Sequence, residues 1–311
     1  MIEILFNTLP FFGLIALGYG SAKSGLFSRE ATAHLTKFVF YFALPAMLFK
    51  FSSNLALQDI LEWDFIAAYL LGSLSLYASS ILLARFRGEP VESSIIEAQC
   101  SVIGNMGWMG LAMIPILFGQ QSISYVVMVL TVDLIIFGPL IVILIVANRE
   151  GRIHLGLINT IATGLVKNPM VLSMAAGLLW AGLEIPTPDL LNRFTTILSG
   201  ASTPGALFAI GASMAYAATG KINIPVYLSI NKLLIHPTMV AAAALILFNV
   251  GPYASAIMIA CAAMPVAGNV YMVASHYGVP TEKISIAILI STIASIMTIS
   301  AIVSLVTQLF V

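Results

Sequence analysis

The chain has 311 residues, of which 60% are hydrophobic and only 8% charged, against roughly 45–50% and about 25% in soluble domains; its mean hydropathy is +1.03. That balance predicts an all-α polytopic membrane protein. Lys+Arg and Asp+Glu number 13 each, so no basic surplus is available for phosphate backbones and nucleic-acid partners are disfavoured.

Apolar stretches separated by short polar turns divide the chain into ten expected helices: 2–22, 29–52, 63–86, 94–118, 121–147, 168–185, 191–218, 224–248, 253–277 and 283–309. Runs such as Val126 to Val132 and Ile135 to Val146 are apolar on every face, which suits spanning helices and not the alternation of a β-barrel. The first segment carries Glu3, Asn7 and Pro10 where a signal peptide would carry basic residues, and is read as a retained span. Ten spans of about 20–25 residues leave only connectors, so no separate soluble domain fits. Cys100 and Cys261 lie in apolar runs without a CxxC pair or a His at ligand spacing, which supports neither a disulfide framework nor a metal site.

Basic residues give the orientation. The connectors after spans 1, 3, 5, 7 and 9 hold Lys23, Arg29, Arg85, Arg87, Arg149, Arg152, Lys167, Lys221 and Lys283, nine of the thirteen. The positive-inside rule then puts those connectors in the cytoplasm and both termini on the outer side of the cytoplasmic (inner) membrane. The long connector 148–167 falls mid-chain and divides a first five-helix repeat, 1–147, from a second, 168–311.

Prolines overlay the halves. Pro10 and Pro45 map to Pro169 and Pro204 at an offset of 159, as do Gly18 to Gly177 and Leu48-Phe49 to Leu207-Phe208. Gly104-Asn105 pairs with Gly268-Asn269 at an offset of 164. Five spans per half is an odd number, so the second half must enter the membrane inverted.

Spans 4 and 9 concentrate the helix breakers: Gly104-Asn105-Met106-Gly107-Trp108-Met109-Gly110 with Pro115, and Pro265-Val266-Ala267-Gly268-Asn269. Glycine costs about 1 kcal/mol and proline about 3 kcal/mol in a helix interior, and freed backbone groups in hydrocarbon need a partner or a water-filled cavity. A broken helix in each half, crossing near the midplane, meets that need. The half-helix N-termini then suit an anion, with Asn105 and Asn269 as its amide ligands; the competing reading is close helix packing and interhelical hydrogen bonding.

Ionisable residues stranded in apolar runs cost at least about 2.5–3.5 kcal/mol each. Asp133 is the deepest, and is a proton carrier, a cation ligand or a neutral, hydrogen-bonded acid; the competing reading is a structural cap on the freed backbone of Pro139 or of a neighbouring broken helix. Lys232 and His236 share a helix face ahead of Pro237, with snorkelling to the inner interface as the alternative for Lys232. Lys37 either neutralises a substrate carboxylate or reaches the inner interface, and Glu97 reads as interfacial. No Gly-x-Ser-x-Gly, His-Glu-x-x-His, P-loop or paired intramembrane aspartates occur, so no enzyme and no cofactor is expected, and transport would run on gradients.

The runs Thr36-Lys37-Phe38-Val39 to Pro45, Gly104 to Gly110, Pro204-Gly205-Ala206-Leu207-Phe208-Ala209-Ile210-Gly211 and Pro265 to Tyr277-Gly278 resemble the auxin efflux carrier family in its bacterial branch, over essentially the whole chain. The resemblance implies ten helices in two inverted five-helix repeats, a scaffold and a transport domain with crossing helices 4 and 9, and elevator-like alternating access. It implies organic-anion substrates: indole-acetate in plants, malonate or malate in bacterial relatives. The carboxylate would lie near Asn105 and Asn269, with Gly104, Gly268, Pro265 and Pro115 around it. Where relatives often have proline after Gly-Leu, this chain has Gly110-Leu111-Ala112 and its proline at 115, which predicts a displaced or softened break. The leading function is therefore a carrier exporting or exchanging a small organic anion. One alternative is a sodium-coupled symporter of the bile-acid type, with Na⁺ at Asp133, Gln99 and the freed carbonyls; another is a non-transporting membrane sensor or scaffold. The coupling ion, H⁺ or Na⁺, and a homodimer stay open.

Overall fold

A computed structural model describes residues 2–54, 62–150, 163, 166–216 and 221–310. The chain forms α1 (Ile2–Lys23), α2 (Arg29–Ser52), α3 (Trp63–Phe86), α4 (Val91–Val102), α5 (Met106–Phe118), α6 (Gln120–Arg149), α7 (Pro169–Gly182), α8 (Asp189–Met214), α9 (Asn223–Leu247), α10 (Pro252–Ala262), α11 (Gly268–His276) and α12 (Glu282–Phe310). No strand occurs among the described residues, apart from one isolated bridge between Gly104 and Val266. Six of these helices, α2, α3, α6, α8, α9 and α12, are long and apolar enough to cross a membrane. The apolar segments expected at 94–118 and 253–277 are each interrupted, into α4 and α5 and into α10 and α11. Most of the connector 148–167, with Arg152, lies outside the described residues.

Proline shapes three of the long helices in the same way. It removes the donor to the carbonyl four residues back and clashes with that carbonyl, so the turn before it widens. In α2, α6 and α9 a wide π turn, Val39–Ala43, Asp133–Phe137 and Asn231–Ile235, precedes Pro45, Pro139 and Pro237, and α9 ends in a second, Ala243–Leu247, that no proline follows at that spacing. Each of the first three begins six residues before its proline (45 − 39, 139 − 133 and 237 − 231). Two of the three therefore carry the stranded charges, Asp133 and Lys232, on locally unwound backbone.

The helices pack in two groups. In one, α1 lies along α8, and α2 packs against α7 and α8. In the other, α3 packs on α4 and α9, α9 on α10 and α12, and α4 on α6. The groups touch through α1 with α12 and α8 with α5. Glycines allow the first group its closest approaches. A Cβ on Gly18 would strike the Phe208 carbonyl and meet the Ala212 nitrogen at 3.0 Å, and a Cβ on Gly177 would meet the Phe49 carbonyl oxygen at 2.9 Å and the Ser53 nitrogen at 3.0 Å. The offset of 159 exchanges the two contacts: 18 becomes 177, while 208 and 212 become 49 and 53. Outward faces stay apolar, with Leu17, Phe42, Leu179, Ile197 and Met297 exposed, a surface suited to lipid.

Polar clusters mark two opposite ends. At one, Glu97 is buried and ion-paired with Arg87 and Lys283, Lys283 also meets Glu89 at 3.0 Å, and Arg149 grips Glu92 through Nε at 2.7 Å and Nη2 at 2.8 Å. That guanidinium holds the Glu92 carboxyl below its ordinary value. Glu97 is thus the centre of an ion cluster at this end, buried because two cations from neighbouring segments compensate it. At the other end the Tyr125 hydroxyl donates to Glu62 at 2.9 Å, and the Tyr253 hydroxyl donates to the Phe118 carbonyl at 2.7 Å. The connectors after α3, α6 and α11 thus gather at one end, and those after α2, α5 and α9 at the other.

Candidate functional site

The two helix breaks satisfy each other. Beyond α4, Ile103 turns extended (φ −78°, ψ 113°), and Ile103 to Asn105 runs antiparallel past Pro265 to Ala267. The Asn105 amide N–H donates to the Pro265 carbonyl at 2.8 Å, and the Ala267 N–H to the Ile103 carbonyl at 3.1 Å. The Val266 N–H donates to the Ser291 hydroxyl of α12 at 3.1 Å. Backbone groups that broken helices would orphan in a buried place are therefore paired. Adding 162 turns one crossing bond into the other, 105 to 267 and 103 to 265. That frame is two residues short of the 164 that aligns the Gly-Asn pairs.

This shift separates the two asparagines. Asn105 sits in the break and is buried, whereas Gly268 and Asn269 begin α11 and are exposed. Gly104 is confined: a Cβ there would lie 3.1 Å from the Lys232 Nζ and 3.3 Å from the Met264 Cβ. Pro265 and Pro115 are both buried. The α-helix runs through Ala112 and Pro115 as Leu111–Phe118 after a π turn, Met106–Gly110. The break at 103–105 thus lies upstream of both, where glycine and the partner strand, rather than proline, interrupt the helix.

Lys232 is fully buried, so it does not snorkel. Its side chain turns into the crossover, where Nζ donates to the carbonyl of Ala262, the last residue of α10, and lies 3.1 Å from the His236 Nδ1. The His236 Nδ1 is also 3.2 Å from the Ala262 carbonyl, and its Nε2 is 2.9 Å from the Ser73 hydroxyl. The His236 ring stands edge-on to Tyr69, centroids 5.9 Å apart. The Tyr69 hydroxyl donates to the Asp133 Oδ1 at 3.1 Å, and Oδ2 has no hydrogen-bond partner among the described residues. Asp133 therefore takes the Tyr69 hydroxyl instead of capping the backbone near Pro139.

Gln99 is buried on α4, its Oε1 also without a partner among the described residues, while Lys37 is exposed on α2 and does not join the cluster. Sequence reasoning missed Tyr69, Ser73 and Ser291. For the first two a signal existed: Tyr69, Ser73, Tyr77 and Ser80 recur at helical spacing and form one buried stripe of α3. Ser291 was one of many hydroxyls in span 10. Among the described residues no group of three or more His, Cys, Asp or Glu could hold a metal ion.

A family model described as a membrane transport protein matches residues 4–303. The chain is similar to a protein of Rhizobium meliloti (strain 1021) named "Putative malonate transporter", 28% identical over 98% of this chain and 97% of the relative. It is also similar to "Auxin efflux carrier component 5" of Arabidopsis thaliana, 22% identical over 94% of each chain.

Proposed function

Because the chain belongs to the membrane transport protein family, we propose that it is a secondary transporter of small organic anions, carboxylates such as malonate, malate or auxin-like acids, working by efflux or exchange. The observation that carries this reading is the pair of broken helices meeting at the Gly104 and Val266 bridge. The first amides of a helix lack intrahelical partners and carry partial positive charge. The start of α11, exposed at Gly268 and Asn269, offers such amides beside a neutral side-chain donor, and Asn105 lies at the matching break. In this reading Asn105, Asn269, Gly104, Gly268, Pro265 and Pro115 bound the carboxylate site.

Ten spans in two inverted repeats, 1–147 and 168–311, are supported by the contacts of Gly18 and Gly177 that one offset exchanges, and by the interruption of a helix in each half where the two meet. Elevator-type alternating access is supported by the division into two packing groups: α1, α2, α7 and α8 would be the fixed scaffold, and the group holding the breaks would move. The names of the relatives favour a carboxylate cargo. In proteoliposomes of the purified protein, labelled malonate should enter with saturating kinetics and be inhibited by other carboxylates. A panel of organic anions with no flux under any gradient would overturn the proposal.

A further inference from the structure

We propose that Lys232 is a built-in cation at the crossover, its ammonium standing where a sodium ion would otherwise bind, so that its gain and loss of a proton makes transport proton-linked and sodium-independent. The coupling role rests on the carrier reading above; the cation site does not.

Nζ occupies a place that suits a small hard cation, against a main-chain carbonyl at a helix end. The Ala262 carbonyl closes α10, where unsatisfied carbonyls carry partial negative charge, the arrangement that coordinates Na⁺ or H⁺ at broken helices. Asp133 of α6 lies farther off, its Oδ1 taking the Tyr69 hydroxyl and its Oδ2 without a partner among the described residues, and the Ser73 hydroxyl meets the far nitrogen of the His236 ring. Gly104 is what admits the lysine: any side chain there would meet Nζ at 3.1 Å or Cε at 3.2 Å. The ammonium, donating to Ala262, fills the place.

The same geometry accommodates a neutral lysine. With Lys232 protonated, its N–H bonds go to the Ala262 carbonyl and to the His236 Nδ1, and the imidazole donates from Nε2 to Ser73. With Lys232 neutral, the other histidine tautomer donates from Nδ1 to the same carbonyl at 3.2 Å and accepts from Ser73 at Nε2. The carbonyl keeps a donor in both states and His236 stays neutral in both. Moving between them, Nδ1 takes one proton from Lys232 while Nε2 releases one through Ser73, so one proton leaves and no charge is stranded on the ring. The titratable groups facing Lys232 are His236 on its own helix, Tyr69 from α3, Asp133 from α6 and Cys261 from α10. On α4 and α12, Glu97 and Lys283 pair with each other, and Cys100 is buried.

The test compares the purified full chain in NaCl and in choline chloride at equal ionic strength, by thermal unfolding, and measures lumenal pH with a trapped dye during malonate flux. The wild type should melt identically in both salts, and malonate movement should change the lumenal pH. Folded Lys232→Ala should lose the pH change and gain a sodium response of about 3 °C in melting temperature at saturating Na⁺; adding Asp133→Asn should abolish that gain. A wild type specifically stabilised or driven by Na⁺, malonate flux without a pH change, or a folded Lys232→Ala indifferent to Na⁺ would each overturn the proposal. Should Lys232→Ala not fold, the two wild-type measurements decide. If the wild type moves no carboxylate while the sodium pattern appears, the carrier reading fails and the cation site stands.

Discussion

At the scale of single residues, the two asparagines that sequence symmetry makes equivalent occupy different environments. Asn105 is buried where α4 ends, whereas Asn269 is exposed at the start of α11. Replacing either with Ala should weaken carboxylate binding by about 1–3 kcal/mol, the loss expected when a buried partner goes unsatisfied. The variants should then part: Asn105→Ala should also lower the melting temperature of the unliganded protein, and Asn269→Ala should leave it unchanged. Titration calorimetry with malonate and thermal unfolding of both variants measure this; unaltered affinity in both would move the site elsewhere. The residue types themselves, Asn, Gly, Pro and stranded Asp and Lys, were legible in the sequence because each is costly in an apolar helix and needs a reason. Which of them meet was not. Lys37 and Lys232 are chemically alike and similarly placed in their segments, yet one faces outward and the other is fully buried. Only the packing of α3, α10 and α12 against α9 distinguishes them.

At the scale of elements, the closest contacts are made by backbone on backbone, and small residues decide where. Gly18 and Gly20 lie two residues apart on α1, but a Cβ on Gly18 would collide with α8, whereas one on Gly20 meets nothing within 4 Å. Gly18→Ala should therefore destabilise by about 1–3 kcal/mol through overpacking. Gly20→Ala should be neutral or stabilise by up to about 1 kcal/mol through helix propensity. Thermal unfolding of the two variants in one detergent separates these outcomes, and equal melting temperatures would deny the close α1 and α8 approach. Helix boundaries followed from apolar run length and polar turns, and the widened turns in α2, α6 and α9 follow from prolines 45, 139 and 237. The place of the break in the fourth segment did not follow. Pro115 is a stronger breaker than Gly104, yet the helix continues through Pro115 and ends at Val102, because the partner strand at Pro265 to Ala267 bonds the backbone there.

At the scale of the whole molecule, the ion cluster of Arg87, Glu89, Glu92, Glu97, Arg149 and Lys283 gathers at one end connectors that are far apart in sequence. The basic residues of the connectors expected on that side lead us to propose that it faces the cytoplasm, which would put both ends of the chain outside. Protease added to right-side-out vesicles should remove epitope tags fused to either end, and protection of either tag would reverse the topology. The sequence by itself determined the class of protein, the helical segments, the polarity of their connectors and the two segments that break, since all of these depend on local composition in a solvent that cannot satisfy backbone groups. The tertiary structure decided which freed groups answer one another, that the crossover bonds Asn105 to Pro265 and Ala267 to Ile103 while leaving Asn269 outside it, and that Lys232 turns inward to the Ala262 carbonyl and His236. Those outcomes depend on contacts between segments more than a hundred residues apart on one side and a glycine-sized gap on the other, and no local pattern encodes them.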